Sequence, residues 1–285
     1  MLIKTANKIL LARLIYLPLI FIRKIFGKSS IVKVKRGDIN WILDLSEGID
    51  FSIFLLGSFE PGTKIEIVNN VSKGDVVLDI GANIGAHTLF LAKKVGENGI
   101  VIAIEPTDWA INKLKANIDQ NPSIKNINVQ HVFLSDGVTD KVRPKKVYSS
   151  WPLNRSSLEL HDGHRGALME IDDAEINTLD KLVEDLDLKT ISVIKIDVDG
   201  NELSVFNGGI NTIKKFKPTI FMEMSPYQFR DDKLFIDLVA YIKNIDYEIY
   251  TIDSKSKLPL DPLQLKEIIP AGFSINVIAK PLLSR

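Results

Sequence analysis

A glycine turn between an apolar segment and a helix-like segment is the feature that most restricts how this chain can fold. Residues 75–78 favour a buried strand, and residues 87–94 have the composition of a helix. Between them, Gly81 and Gly85 permit backbone angles and close approaches that a Cβ would forbid. A strand, a glycine turn and a helix N-terminus form the cofactor-binding unit of doubly wound α/β folds.

The chemistry around this turn favours a cationic ligand. The spacing is Gly-x-x-x-Gly, whereas dinucleotide enzymes use Gly-x-Gly-x-x-Gly. A carboxylate at Asp79, just before the first glycine, would repel a pyrophosphate. It would instead suit S-adenosylmethionine (SAM), which carries an ammonium and a sulfonium group. The alternative is an ordinary glycine turn without a ligand.

Two further acids are placed to meet the rest of such a ligand. Glu105 ends the apolar run at residues 100–104, and an acid about twenty residues beyond the turn can accept hydrogen bonds from ribose hydroxyls. A third strand is predicted over residues 127–134, and Asp136 follows it in a position to meet the adenine amino group. The alternatives are a solvated carboxylate at a strand end for Glu105 and an Asp-Gly turn for Asp136.

Composition excludes several classes of protein. The 285 residues include 36 Lys and Arg and 36 Asp and Glu, and a net charge of zero argues against a dedicated nucleic-acid binder. There is no cysteine, which excludes a disulfide framework and a thiolate metal site. The alternation of helix-like and strand-like segments predicts a globular α/β protein of enzyme size.

The N-terminal segment departs from this balance. Residues 1–37 contain no acid and many basic residues, and we separate this helical segment from a main domain at residues 38–285. Its apolar run at residues 14–22 is too short to span a bilayer, which takes about twenty residues. We therefore expect a helix, kinked or interrupted at Pro18, that lies on a membrane surface. The alternative is a helix packed on the protein's own core or on a second subunit. We expect a cytoplasmic location, at the inner face of the membrane if the helix binds lipid.

Residues 141–173 lack clear periodicity and form a longer connection than most compact domains contain. Loops of this length are usually lids or binding elements. The segment contains residues able to hold a polyhydroxylated substrate: Trp151, Arg155, Ser156, Ser157, His161, His164 and Arg165. One of the two histidines is a candidate catalytic base, although solvated loop histidines are the commoner case.

A cluster of acids follows another predicted strand. The apolar run that begins at residue 191 ends in Asp197, Asp199 and Glu202, and Glu223 ends the next such run. Carboxylates crowded at the edge of a sheet repel one another unless something pairs them, so we favour a functional role for this cluster.

Together these motifs resemble the FkbM family of SAM-dependent methyltransferases. The matching pieces are residues 79–85 with Thr88, then Glu105-Pro106, Ser156-Ser157-Leu158, and residues 195–200 with Glu202. They cover roughly residues 38–223. The sequence departs from the family pattern at Asp199, where glutamate is more usual, and this places the role of Asp199 in doubt.

The resemblance implies a class I methyltransferase fold, which is Rossmann-like and has a mostly parallel seven-stranded sheet. It also implies O-methylation, in several members of a sugar hydroxyl on a glycolipid, polysaccharide or natural product. The turn with Gly81, Asn83 and Gly85 would hold the methionine and ribose part of SAM, and Asp79 would lie near its cationic end. Thr88, Glu105, Pro106 and Asp136 would complete the cofactor site, with Glu105 at the ribose and Asp136 at the adenine.

In that scheme Asp197 faces the transferred methyl group and the acceptor. Asp197 is the first candidate for the base that removes the hydroxyl proton, and His164 is the second. A divalent cation held by Asp197, Asp199 and Glu223 is a third route, which we rank below the metal-free one. Two other functions stay open at this point. One is a metal-dependent nucleotide-sugar glycosyltransferase that uses the Asp-x-Asp of residues 197–199, and the other is a non-catalytic, membrane-attached scaffold.

Overall fold

The computed structural model describes residues 5–137, 144–155, 160, 166–229 and 231–282, with the side chains of residues 5 and 6 outside the description. The helices are α1 Thr5–Ile25, α2 Gly48–Leu56, α3 Pro61–Asn69, α4 Thr88–Val95, α5 Asp108–Asp119, α6 Leu179–Asp185, α7 Glu202–Gly208, α8 Ile210–Phe216, α9 Asp232–Asn244 and α10 Pro262–Ile268. The strands are β1 Ile31–Arg36, β2 Ile39–Asp44, β3 Val76–Ile80, β4 Ile100–Ile104, β5 Ile127–Gln130, β6 Val132–Leu134, β7 Lys146–Ser150, β8 Ala167–Glu170, β9 Glu175–Asn177, β10 Val193–Ile196, β11 Thr219–Met224, β12 Tyr247–Thr251, β13 Lys257–Leu258 and β14 Ile275–Pro281.

One mixed sheet organises the domain, in the order β13-β12-β14-β11-β10-β3-β4-β5. The strands from β11 to β5 are parallel, and β14, β12 and β13 join antiparallel at the other end. The predicted fold class, a mostly parallel doubly wound sheet, is confirmed. The sheet has eight strands because the two-residue strand β13 extends the seven that the prediction counted.

Strand register brings the glycine turn beside the acid-bearing strand. In the pairing of β10 with β3, Lys195 lies opposite Asp79 and Ile196 lies opposite Ile80. The chain reverses its winding direction here, since β4 and β10 flank β3 on opposite sides. Ligands of open α/β sheets bind outside the carboxyl ends of the strands at such a point.

The predicted third strand is interrupted at His131. Residues 127–130 form β5 in the main sheet, whereas β6 pairs with β9 in a separate two-stranded sheet. Asp136 therefore follows a strand that does not belong to the main sheet, and its half-buried side chain lies beyond β6. The prediction of one continuous strand over residues 127–134 was wrong in this respect.

Apolar side chains cover both faces of the sheet. Leu78, Ile194 and Ile220 are buried in the core that α6, α7 and α9 cover, while Val77, Val193 and Phe221 belong to the cluster on the other face. Alternate residues of a strand point to opposite faces, so these near-continuous apolar runs fit strands buried on both sides.

The N-terminal elements pack against this domain through a third cluster. It includes Trp41 and Phe51, both almost fully buried, and Tyr16 of α1, whose ring meets the Phe51 ring edge-on at 5.9 Å. Helix α1 continues through Pro18, so the expected interruption is absent. None of the helices in the described parts of the chain is long and apolar enough to cross a membrane.

Candidate functional site

The glycine turn presses against the end of β10. The backbone N–H groups of Gly81 and Ala82 both donate to the Ile104 oxygen, at 2.9 and 3.0 Å. Gly81 has a φ of +76°, and a Cβ there would stand 1.9 Å from the main-chain oxygen of Asp197. Only glycine fits this contact, which places the cofactor turn directly against the acid predicted to face the acceptor.

Asp79 is completely buried beneath the turn. Its Oδ2 accepts a hydrogen bond of 2.6 Å from the Thr88 hydroxyl at the start of α4. Its Oδ1 has no hydrogen-bond partner among the described atoms and lies 3.4 Å from the Lys195 ammonium. The two predicted cofactor residues Asp79 and Thr88 are thus in direct contact, and a cation of the protein already offsets part of the Asp79 charge.

Glu105 is almost fully buried beside the same turn. It accepts hydrogen bonds from the Asn83 N–H at 2.9 Å, and from the Thr107 N–H and hydroxyl at 3.0 and 2.6 Å. A carboxylate has about four lone-pair sites, so one remains for a ribose hydroxyl. Burial raises the pKa of Glu105, and the bonds from Thr107 and Asn83 act against that rise. The predicted ribose acid is therefore held rigidly by the loop that would surround the cofactor.

Strand β7 lies over the glycine turn and over the loop that follows β4. The Asn83 amide donates to the main-chain oxygen and hydroxyl of Ser149, at 2.8 and 3.1 Å, and the hydroxyls of Thr107 and Ser149 are 3.2 Å apart. The Ser150 hydroxyl donates to Glu47 at 2.7 Å, which anchors the same strand on the N-terminal side. The long connection expected to act as a lid thus contributes a β7–β8 hairpin whose first strand covers Asn83 and Thr107.

The other predicted cofactor residues are spread around this centre. Gly85 has a φ of +89°, and a Cβ there would meet Leu114 at 2.7 Å. The main-chain oxygen of Pro106 lies 3.1 Å from the ring nitrogen of His131. The predicted roles of Pro106 and Asp136 stay predictions. His161, His164, Arg165, Ser156 and Ser157 lie outside the described residues.

Acids crowd around the carboxyl ends of β10 and β11. Burial, followed by the charge of Asp197, raises the pKa of Glu223 to about 8. Burial raises the pKa of Glu202 to about 7, and burial with the charges of Asp197 and Glu223 raises that of Asp199 well above its ordinary value. Burial and the charge of Asp197 likewise raise the pKa of Glu60. This excess of carboxylates favours a cation over a phosphate.

Asp197 is a partly exposed member of the group, as are Glu60 and Glu223 in the same cleft. Its side chain is 35% exposed, whereas Glu202 is 4% exposed. Asp199 has a φ of +48°, a conformation that non-glycine residues adopt at a cost of order 1–3 kcal/mol. Asp197 can therefore touch a substrate. Asp199 occupies a strained turn next to it.

The sequence assigned no role to several residues of the cleft, among them Lys195 and His87. Lys195 lies inside an apolar strand, yet it donates to the Gly81 oxygen at 2.7 Å and lies 3.5 Å from Asp197 Oδ2. Burial lowers the pKa of Lys195, but the charges of Asp79 and Asp197 outweigh burial and raise it overall. His87 is 5% exposed, and burial together with the Lys195 charge lowers its pKa to about 4, so its ring is neutral at pH 7.

A narrow cleft opens at the carboxyl ends of β10 and β11. Its lining consists of Glu60, Thr63, His87, Lys195, Ile196, Asp197, Phe221, Met222, Glu223 and Asn276. The Asn276 amide donates to Glu60 at 2.7 Å and to Thr63 at 2.9 Å, which fixes one wall. Among the described residues, no group of three or more His, Asp and Glu is arranged to hold a metal ion.

The residues present fit a cationic nucleoside cofactor. The turn leaves no room for a Cβ at Gly81, no donor among the described residues makes a hydrogen bond to the buried Oδ1 of Asp79, and Glu105 retains one acceptor site. A doubly wound sheet with these groups at its carboxyl edge is the Rossmann-like arrangement in which nucleoside cofactors bind.

The family is established by comparison of the sequence with family models. The model described as Methyltransferase FkbM domain matches residues 79–249, which is more than half of the chain. The chain therefore belongs to the FkbM methyltransferase family. The resemblance stated from the motifs and the predicted enzyme class are confirmed.

The individual relatives and solved structures share only low sequence identity with this chain. The chain is 25% identical over 150 residues to the hexuronic acid methyltransferase AglP of Haloferax volcanii. The match covers 52% of this chain and 55% of AglP, so it spans about half the length of that relative. The methyltransferase FkbM structure from Methylobacillus flagellatus KT has a TM-score of 0.43 at 18% identity, over 74% of this chain and 44% of its own. A SAM-dependent O-methyltransferase structure from Thermotoga maritima has a TM-score of 0.41 at 13% identity, over 92% and 82% of the two chains.

Proposed function

We propose that this chain transfers the methyl group of SAM to a hydroxyl of a sugar on a glycolipid, polysaccharide or glycosylated natural product. The observation that carries the proposal is the contact between the Gly81 turn and the main chain of Asp197. That contact joins the predicted cofactor side of the site to Asp197, a strand-end acid that lines the cleft. The name of the relative AglP, a hexuronic acid methyltransferase, supports a carbohydrate acceptor.

When bound, SAM supplies a methyl group on a positively charged sulfur, which is already a good leaving group. What the protein must add is alignment of the acceptor oxygen with that methyl group, and alignment of this kind accounts for much of the rate of such reactions. Asp197, held by Lys195 at 3.5 Å, is placed to accept the hydrogen bond of the acceptor hydroxyl and to receive its proton.

His87 is a hydrogen-bond acceptor within the same cleft. Its ring is neutral at pH 7 because burial and the Lys195 charge lower its pKa to about 4. A neutral imidazole can accept a hydrogen bond from a hydroxyl, so we place His87 beside Asp197 as a group that orients the acceptor. His164, the second candidate base from the sequence, lies outside the described residues.

The metal-dependent route has less support than the metal-free one. A chelator such as EDTA should leave methyl transfer intact if Asp197 acts alone. The glycosyltransferase and scaffold alternatives gain no support from the family to which the chain belongs.

Mass spectrometry of cell-envelope glycans tests the proposal. Glycans from cells with the protein should carry a species heavier by one methylene than glycans from cells without it. Cells that produce the Asp197→Asn variant serve as the matched control and should lack that species. Identical glycans in all three samples would contradict a glycan acceptor.

A further inference from the structure

Helix α1 turns an apolar face away from the protein. Eight apolar residues, each more than half exposed, lie on the side opposite Tyr16 at 3.6 residues per turn: Leu10, Leu11, Leu14, Ile15, Leu17, Phe21, Ile22 and Ile25. We call this set the outer face of α1. Water-soluble proteins rarely expose contiguous apolar surface of this kind, which marks a site for a partner or a membrane.

The opposite side of α1 is already used. Tyr16 is 5% exposed, and the partly buried residues Ile9, Ala12, Leu19 and Ile20 pack into the same cluster as Trp41 and Phe51. These positions recur at helical spacing, so one stripe of the helix faces the domain. A helix that is apolar on all sides is normally buried on all sides, and this one is buried only through its inner stripe.

Charge identifies the kind of surface that fits the outer face. Residues 1–37 contain nine Lys and Arg and no acid, whereas the whole chain has 36 residues of each sign, so residues 38–285 carry nine negative charges in excess. Lys8 and Lys24 are exposed, and at the helical period they fall at the borders of the outer face. Basic side chains that flank an apolar helix face can reach anionic headgroups while the apolar residues enter the acyl boundary.

We propose that α1 lies in the plane of a membrane surface, with its outer face among the acyl chains and its basic residues at anionic headgroups. Pairing of two copies through this face would bring two segments of the same positive charge together, so a lipid surface is favoured over a second copy. The inference does not depend on methyl transfer, since it concerns a surface that the cleft does not use.

Co-sedimentation of the full chain with vesicles tests this attachment. The chain should bind vesicles of phosphatidylcholine and phosphatidylglycerol, bind phosphatidylcholine alone more weakly, and lose affinity as salt is raised. The Leu14→Ser, Phe21→Ser double variant should bind the anionic vesicles at least about tenfold more weakly, because two side chains no longer enter the acyl region. The Lys24→Gln, Lys28→Gln variant should lose about tenfold and retain less of the salt dependence.

Ile236 and Leu263 are exposed apolar residues on α9 and α10 and provide the matched control. The Ile236→Ser, Leu263→Ser variant should bind vesicles as the unmodified chain does. Circular dichroism and thermal unfolding would show that every variant remains folded. Absence of binding to anionic vesicles would overturn the proposal, as would equal binding by the Leu14→Ser, Phe21→Ser variant. A dimer in solution that this double variant dissociates would also overturn it, in favour of a second copy.

Discussion

The Lys195 ammonium donates a hydrogen bond of 2.7 Å to the main-chain oxygen of Gly81, a residue 114 positions away in the chain. Register explains the contact, because Lys195 stands opposite Asp79 across β10 and β3. The bond ties the glycine turn to the strand that ends at Asp197. It also places one buried cation between two carboxylates, Asp79 at 3.4 Å and Asp197 at 3.5 Å.

Replacement of this lysine should therefore destabilise the protein strongly. Lys195→Met removes the partner of the fully buried Asp79, and the loss of one partner of a buried pair costs about 3–5 kcal/mol. Urea unfolding should show a drop of that order in the free energy of unfolding. Lys257→Met, which breaks an exposed pair with Glu248, is the control and should change it by less than about 1 kcal/mol. A Lys195→Met variant as stable as the unmodified chain would show that the pair is not needed.

Substitutions at two glycines distinguish the effect of the close contact at Gly81 from the effect of its positive φ. Gly81→Ala would place a Cβ 1.9 Å from the Asp197 oxygen, whereas Gly74 has a φ of +87° with nothing within 4 Å of a Cβ. Gly74→Ala should cost about 1 kcal/mol from backbone strain alone. Gly81→Ala should cost several times that amount and abolish SAM binding, because the turn and β10 must move apart. Thermal unfolding and calorimetry measure the two effects, and equal losses in the two variants would contradict the close approach.

The raised pKa of Glu223 predicts a pH dependence of stability. The pKa of Glu223 is about 8 in the folded protein against an ordinary 4.5, so between these values the folded state binds more protons than the unfolded state. The free energy of unfolding should then fall as pH rises through this window, by an amount on the order of a few kcal/mol at about 1.4 kcal/mol per pKa unit.

Glu223→Gln mimics the protonated form and should flatten this slope, so that the variant is more stable than the unmodified chain at pH 8. Glu267→Gln, at an exposed position of α10, is the control and should leave the slope unchanged. Denaturant unfolding at pH 5, 6, 7 and 8 measures the slope. Glu202 and Asp199 contribute a part of it that remains in Glu223→Gln, so a slope as steep as that of the unmodified chain is the contradicting result.

Asp197→Asn should separate binding from turnover. The substitution keeps the main-chain oxygen that faces Gly81 and removes the carboxylate that would receive the proton. SAM affinity should change little, while methyl transfer to a glycan fraction falls by about 10²–10⁴. Asp119→Asn, at the exposed end of α5, should have neither effect. Near-normal transfer by Asp197→Asn would remove Asp197 from the mechanism.

Much of the site could be predicted because its signals are local. Asp79, Gly81 and Gly85 belong to one strand–turn–helix unit, and a glycine turn requires residues within a few positions of one another. The acids at the strand ends were also visible, since an apolar run followed by carboxylates needs no knowledge of the sheet order.

The cleft residues that the sequence did not identify owe their positions to contacts between distant parts of the chain. Lys195 is one polar residue in an apolar strand, and its role became clear only when register placed it opposite Asp79. Asn276 reaches Glu60 because β14 joins the sheet antiparallel beside β11, and no local pattern determines that order. His87 was visible in sequence only as the start of a helix, and its burial next to Lys195 is a tertiary effect.

We propose that an acid-lined pocket at the edge of the sheet selects a cationic methyl donor over a phosphate-rich nucleotide. Calorimetric titration of the purified full chain with SAM, NAD and a nucleotide sugar in one buffer tests this selectivity. SAM should bind, and NAD and the nucleotide sugar should bind at least about a hundredfold more weakly. Tight binding of NAD or the nucleotide sugar by a protein that does not bind SAM would contradict it.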